Sequence, residues 1–118
     1  MKKIVFLFAL LVAVAAVAQD QRKSQVLTIS GDEDFRDGYY MGAIRYYKAA
    51  LEEYPENIKA QYQLAESYRL TQQYENAEYY YEQMTSGGQD SRYPLAGYYH
   101  AMMQKLKGQY DAALKNFK

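Results

Sequence analysis

One spacing constrains this chain more than any other feature. Adding 34 to Tyr40, Ala43, Tyr46, Tyr47 and Ala50 gives Tyr74, Ala77, Tyr80, Tyr81 and Met84, four identities and one apolar replacement. Upstream, Gly31 maps onto Ala65, both small. A partial third copy, Gly108, Tyr110, Ala113, Leu114 and Phe117, matches Gly38, Tyr40, Ala43, Ile44 and Tyr47 at a spacing of 70. The two extra residues fit within TSGGQDSR, Thr85 to Arg92, which reads as a longer loop. A period of this length marks a supersecondary unit that cannot bury its apolar side alone, so neighbouring units must stack.

Within one copy the periodicity is helical. Tyr40, Ala43, Ile44, Tyr47, Ala50, Leu51 and Tyr54 recur at steps of three and four, the pattern of one helix face. Arg45, Lys48, Glu52 and Glu53 occupy the other face, and Pro55 ends the helix because the residue before a proline is pushed out of the helical region. A half-buried strand would alternate instead. Small residues at Ala43, Ala65, Ala77, Ala101 and Ala113 are expected to let antiparallel helices approach. Rings at Tyr47, Tyr68, Tyr81 and Phe117 are expected to fill the space between them. Asn57 is placed to cap a helix starting near Ile58, and Pro94 suits the first turn of the helix after the loop.

These residues resemble the tetratricopeptide repeat family. The second unit carries the pattern best, with Leu64, Ala65 and Tyr68 on its first helix and Tyr74, Ala77 and Tyr81 on its second. The first unit matches through Gly38, Tyr40, Ala43, Tyr47, Ala50 and Pro55, whereas its first helix, around Leu27 to Asp37, departs from the pattern. The third has Gly108, Tyr110, Ala113 and Phe117 but reaches Lys118 before its second helix is complete, so Leu114 and Phe117 are expected to be exposed. The resemblance implies an all-α helix–turn–helix solenoid of about 2.5–3 repeats over residues 24–118, divided as 24–57, 58–91 and an incomplete 94–118. It implies a non-enzymatic scaffold that receives a protein or peptide partner on the concave face made by the first helices. In this register that face comprises Tyr62, Glu66, Arg69, Tyr98, Met102 and Lys105. The basic clamp used by chaperone-tail receptors of the family is missing, since Thr28, Asp32, Tyr62 and Glu66 stand in its places.

The first residues belong to something else. Lys2 and Lys3 precede an unbroken apolar run from Ile4 to Ala18, and Ala16-Val17-Ala18 supplies a small-x-small pattern before polar residues. This is the arrangement of a secretory signal peptide cleaved after Ala18, leaving a polar segment at 19–23. The run is shorter than the roughly 18 residues a spanning helix needs. Export to a periplasm or an outer-membrane surface is the expectation. Together with the repeats, the leader resembles the N-terminal region of Bacteroidetes envelope proteins. In those, such repeats precede a β-propeller of PD40 type and a C-terminal OmpA-like peptidoglycan-binding domain. Peptidoglycan association is therefore expected only through domains beyond this chain. The chain lacks the lipid-modifiable cysteine of lipoprotein members.

Composition and motif spacing exclude several chemistries. Without Lys2 and Lys3 the chain is slightly acidic and has no basic block, so nucleic acid is not an expected partner. It contains no cysteine, which removes disulfides and thiolate metal sites. His100 is the only histidine and has no second nitrogen or sulfur ligand at metal-site spacing. Asp32, Asp34 and Asp37 miss the calcium-loop spacing, with Arg36 in the third ligand place, and read as a solvated acidic helix start. Glu52 and Glu53 diverge on a helix, and Gly87-Gly88 lacks the lysine of a phosphate loop. No catalytic, cofactor-binding or metal residue is expected.

Overall fold

The computed structural model describes residues 2–86 and 91–116. The loop character of Gly87-Gly88 and the packing of Phe117 lie outside the described residues. Among these residues there are five helices and no strand: α1 (Lys2–Arg36), α2 (Tyr40–Glu53), α3 (Ile58–Leu70), α4 (Tyr74–Thr85) and α5 (Ala96–Asn116). Each packs against the next in sequence, and α1 also touches α3. The all-α helical-repeat architecture is as the period requires.

The first two helix pairs close with the same turn. Gly38 sits at φ +80°, its N–H donates to the carbonyl of Phe35, and the N–H of Tyr39 donates to Asp34. At the matching place in the second unit, Gln72 sits at φ +62°, its N–H donates to Arg69, and the N–H of Gln73 donates to Tyr68. Both are Schellman turns, which satisfy the last carbonyls of a helix and need one left-handed residue. Gly38 adopts that conformation freely, whereas Gln72 does so against the clash of its Cβ.

Between the helices the core is alanine against tyrosine. Ala43, Ala50, Ala60, Ala65 and Ala77 are buried together with Tyr47, Leu64, Tyr68, Tyr81 and Met103. Gly31 is pressed against a ring of α2: a Cβ there would lie 2.6 Å from Cε1 of Tyr47. The unit 1 position that departs from the pattern in side-chain size is therefore the one that lets the α2 tyrosine lie flat on α1.

A polar seam joins the first unit to the second. The Asn57 side-chain oxygen accepts from the N–H of Ala60 at 3.0 Å and caps α3, as its sequence position requires. Its amide nitrogen donates to Ser24 Oγ at 2.7 Å and to Thr28 Oγ1 at 3.0 Å. Ser24 in turn donates to the carbonyl of Ala50 and Thr28 to the carbonyl of Ser24, each at 2.7 Å. One residue thus caps α3 while tying it to α1, and through Ser24 to α2.

Four expectations need correction. The acidic segment ends a helix rather than starting one: Asp32 and Asp34 lie in the last turns of α1, and Asp32 is engaged by Tyr47 and Lys59 rather than solvated. Pro94 lies in the turn before α5, outside the helix. The third copy forms one continuous helix through Gly108 instead of a helix–turn–helix. Consequently Ala101 and Ala113 are exposed, not packed between helices. Their counterparts Ala65 and Ala77 are buried because α3 and α4 face each other; a straight α5 has no such partner. Leu114 is exposed as expected. The N-terminal apolar run continues α1 as an exposed helix without a break at the polar residues 19–23.

Candidate functional site

The first helices of the units, α1, α3 and α5, are linked on one side of the array by polar and aromatic contacts. Lys59 of α3 reaches Asp32 of α1, with Nζ 3.0 Å from Oδ2. Arg69 of α3 lies over the ring of Tyr99 in α5, with Cζ 4.3 Å from its centroid. The candidate residues Tyr62, Glu66, Arg69, Tyr98, Met102 and Lys105 all lie on α3 and α5, but they do not form one open surface.

Tyr62, Glu66 and Arg69 are brought together and spoken for internally. Glu66 accepts from the hydroxyl of Tyr81, a buried bond across α3 and α4, and from Arg69 Nη2 at 2.6 Å. The Tyr81 ring stacks on Tyr99 at 5.6 Å between centroids and meets Tyr62 edge-on at 6.2 Å. Tyr62 also stacks on Tyr93 at 4.7 Å. Aromatic pairs at these separations contribute about 0.5–1.5 kcal/mol beyond their buried area. An arginine over an aromatic face adds a cation–π term. The cluster therefore bonds α3, α4 and the start of α5.

The electrostatics follow from this packing. Burial, reinforced by the bond to Glu66, drives the Tyr81 hydroxyl far above the usual phenol range. Tyr62 is pushed up to about 12, first by burial and then by the negative charge of Glu66. Tyr47 is raised in the same way, by burial and by its hydrogen bond to Asp32. All three rings are neutral donors or packing surfaces at ordinary pH, not nucleophiles or bases.

The remaining candidates form the open part of the face. Tyr98 is 62% exposed, Lys105 is exposed, and Met102 is half-buried against the core. Together they present an aromatic ring, a flexible thioether and a cation along successive turns of α5. Such a set suits contact with a peptide, since aromatic and methionine side chains are enriched at the centres of interfaces. Among the described residues no group of three or more acidic or imidazole side chains could hold a metal.

The sequence carried a signal for the internal pairing that residue-by-residue reading passes over. Asp32 and Tyr47 are bonded at 2.6 Å in the first unit, and Glu66 and Tyr81 occupy the same two positions in the second. Both acids recur at the 34-residue period, and each precedes its tyrosine by 15 residues. In the third copy the acid is replaced by Met102 and the hydroxyl-bearing ring by Phe117, so acceptor and donor are lost together.

The matched helix pairs, with equivalent turns and equivalent acid–tyrosine bonds, fit one family. Residues 35–106 match the tetratricopeptide repeat. The chain belongs to the tetratricopeptide repeat family. No curated protein and no solved structure matches it significantly. The matched span runs from the end of α1 into α5, so it takes in both left-handed turn residues, Gly38 and Gln72, and the Tyr62–Glu66–Arg69 cluster. Tetratricopeptide repeats generally mediate protein–protein interaction and are typically non-enzymatic scaffolds.

Proposed function

We propose that this chain is an exported tetratricopeptide scaffold that holds a protein partner by an extended segment laid along the α5 side of the first-helix face. The observation that carries this reading is the division of labour within the candidate set. Tyr62, Glu66 and Arg69 stiffen the face from beneath, while Tyr98 and Lys105 stand towards solvent beside the half-buried Met102, the Tyr98 ring resting edge-on against Tyr99 at 5.5 Å between centroids. A preorganised surface loses little conformational freedom on binding, which favours affinity. The exposed apolar helix from Ile4 onwards is compatible with a signal sequence and supports export. On this reading the chain acts in the periplasm or at the outer membrane. It would serve as the repeat module of an OmpA-like envelope protein, with any peptidoglycan contact made elsewhere.

A photo-crosslinking residue placed at Tyr98, in the producing cell, tests the surface. A discrete protein adduct at position 98, absent when the same residue replaces Glu52 on α2, is expected. Equal adducts at both positions would overturn the assignment.

A second reading, a membrane-tethered assembly factor, is favoured by one observation: α1 runs unbroken from Lys2 to Arg36. The intact mass of the protein recovered from cells separates the two. Loss of residues 1–18 supports secretion, and retention of Met1 or Lys2 with membrane association supports tethering. An accessory module on an envelope enzyme has no structural observation in its favour.

A further inference from the structure

At the matched turn position the third copy departs from the other two in backbone conformation. Gly38 and Gln72 are left-handed and end their helices, whereas Gly108, their counterpart, lies inside α5. On both sides of Gly108 the residues carry the pattern of a helix pair that has not formed. Ala65 and Ala77 are fully buried in the second unit, and their counterparts Ala101 and Ala113 are exposed. Tyr68 and Tyr80 stack at 5.8 Å, and their counterparts are Gln104 and Asn116, two exposed amides able to hydrogen-bond to one another. Tyr110 and Leu114 stand 61% and 49% exposed.

The turn side of the array is consistent with a missing third turn. Gln73 in the second turn reaches the Met41 sulfur at the start of α2 at 4.0 Å, so the second turn lies beside the entry to α2. Beyond the second turn a cavity of about 520 Å³ opens between Thr71–Asn76 on one side and Lys107, Tyr110 and Asp111 on the other. A third turn placed in the same way would occupy that space.

We propose that α5 is a hinged arm. Gly108 changes from helical to left-handed, and residues 109–116 swing from the straight helix to fold back over Ala101 and Gln104. A glycine in a helix interior is destabilising relative to alanine, while at a left-handed turn it is the preferred residue. The hinge therefore favours bending at this residue and at no neighbour. In the straight form Ala101, Tyr110 and Leu114 offer an exposed apolar surface along α5. In the folded form that surface is buried, and the face presented by Tyr98, Met102 and Lys105 gains a rigid backing. The arm thus governs which surface the array displays.

The absence of native cysteine makes the test direct. In a straight α5, positions 101 and 113 are separated by about 18 Å, from a rise of about 1.5 Å per residue. A disulfide requires Cα atoms roughly 4.4–6.8 Å apart. The Ala101→Cys, Ala113→Cys chain, oxidised at low concentration, is expected to form an intramolecular disulfide in the monomer. Adding Gly108→Ala should slow its formation about tenfold, because alanine favours the helix and resists the left-handed turn. Adding Gly108→Asn, which tolerates that turn, should leave the rate close to the parent. Thiols that stay free in the monomer, disulfides formed only between chains, or equal rates in all three backgrounds would each overturn the hinge.

Discussion

Asn57→Asp separates local helix chemistry from the packing between units. Judged by α3 alone the change is harmless: aspartate caps a helix as well as asparagine, and its charge suits the N-terminal dipole. The tertiary contacts predict the opposite. The hydrogens of Ser24 and Thr28 are committed to the carbonyls of Ala50 and Ser24. Both hydroxyl oxygens can therefore only accept, and the Asn57 amide is their donor at 2.7 and 3.0 Å. A carboxylate has no hydrogen to give and sets oxygen against oxygen at both contacts. Leaving a buried polar atom unsatisfied costs about 1–3 kcal/mol. Because Ser24 and Thr28 are buried, the net loss should be about 2–3 kcal/mol. For a domain of this size that lowers the melting temperature by roughly 10–20 °C. The introduced carboxyl regains a donor when protonated, so its folded-state pKa is raised. The stability it retains is therefore present below about pH 4, the unfolded carboxylate value, and is lost as pH rises. Thermal melts followed by circular dichroism at pH 3.5 and pH 7 should show the variant approaching the parent only at the lower pH. A variant as stable as the parent at pH 7 would refute the reasoning.

Other substitutions test the remaining contacts. Gly31→Ala pushes a methyl into the Tyr47 ring and should destabilise by about 1–3 kcal/mol in urea unfolding. Gln72→Gly relieves a left-handed glutamine and should stabilise by about 0.5 kcal/mol after allowing for the freer unfolded chain, whereas Gly38→Gln should destabilise. Tyr47 and Tyr81 are both held protonated in the folded state. Their stabilisation is intact below about pH 10 and falls as pH rises further, at most by about 1.4 kcal/mol per pH unit for each. Denaturation between pH 9 and 12, followed by circular dichroism and by phenolate absorbance, should steepen above pH 10. Tyr47→Phe should make the fall shallower.

Helix identity was legible wherever it depends on neighbours three and four residues away. Tyr40, Ala43, Tyr47 and Ala50 declare a buried helix face on their own, and Asn57 declares its cap, because both follow from local backbone geometry. The 34-residue period then requires stacking, since no unit can cover its own apolar side. The acid–tyrosine bonds were written at the same period but could not be read as bonds. Whether Glu66 faces solvent or Tyr81 depends on how closely α3 approaches α4, and small side chains at Ala65 and Ala77 decide that distance.

Sequence by itself thus determined the class of fold and the family. Only the tertiary structure decided which of the six candidate residues are open. Tyr62, Glu66 and Arg69 are consumed by rings and a hydroxyl contributed from α4, α5 and the turn before α5. It also decided the fate of the third copy. Gly108, Tyr110 and Ala113 have the local chemistry of a turn and a second helix. A helix pair, however, is stabilised by what it packs against, and the structure shows those residues continuing α5 in a straight line.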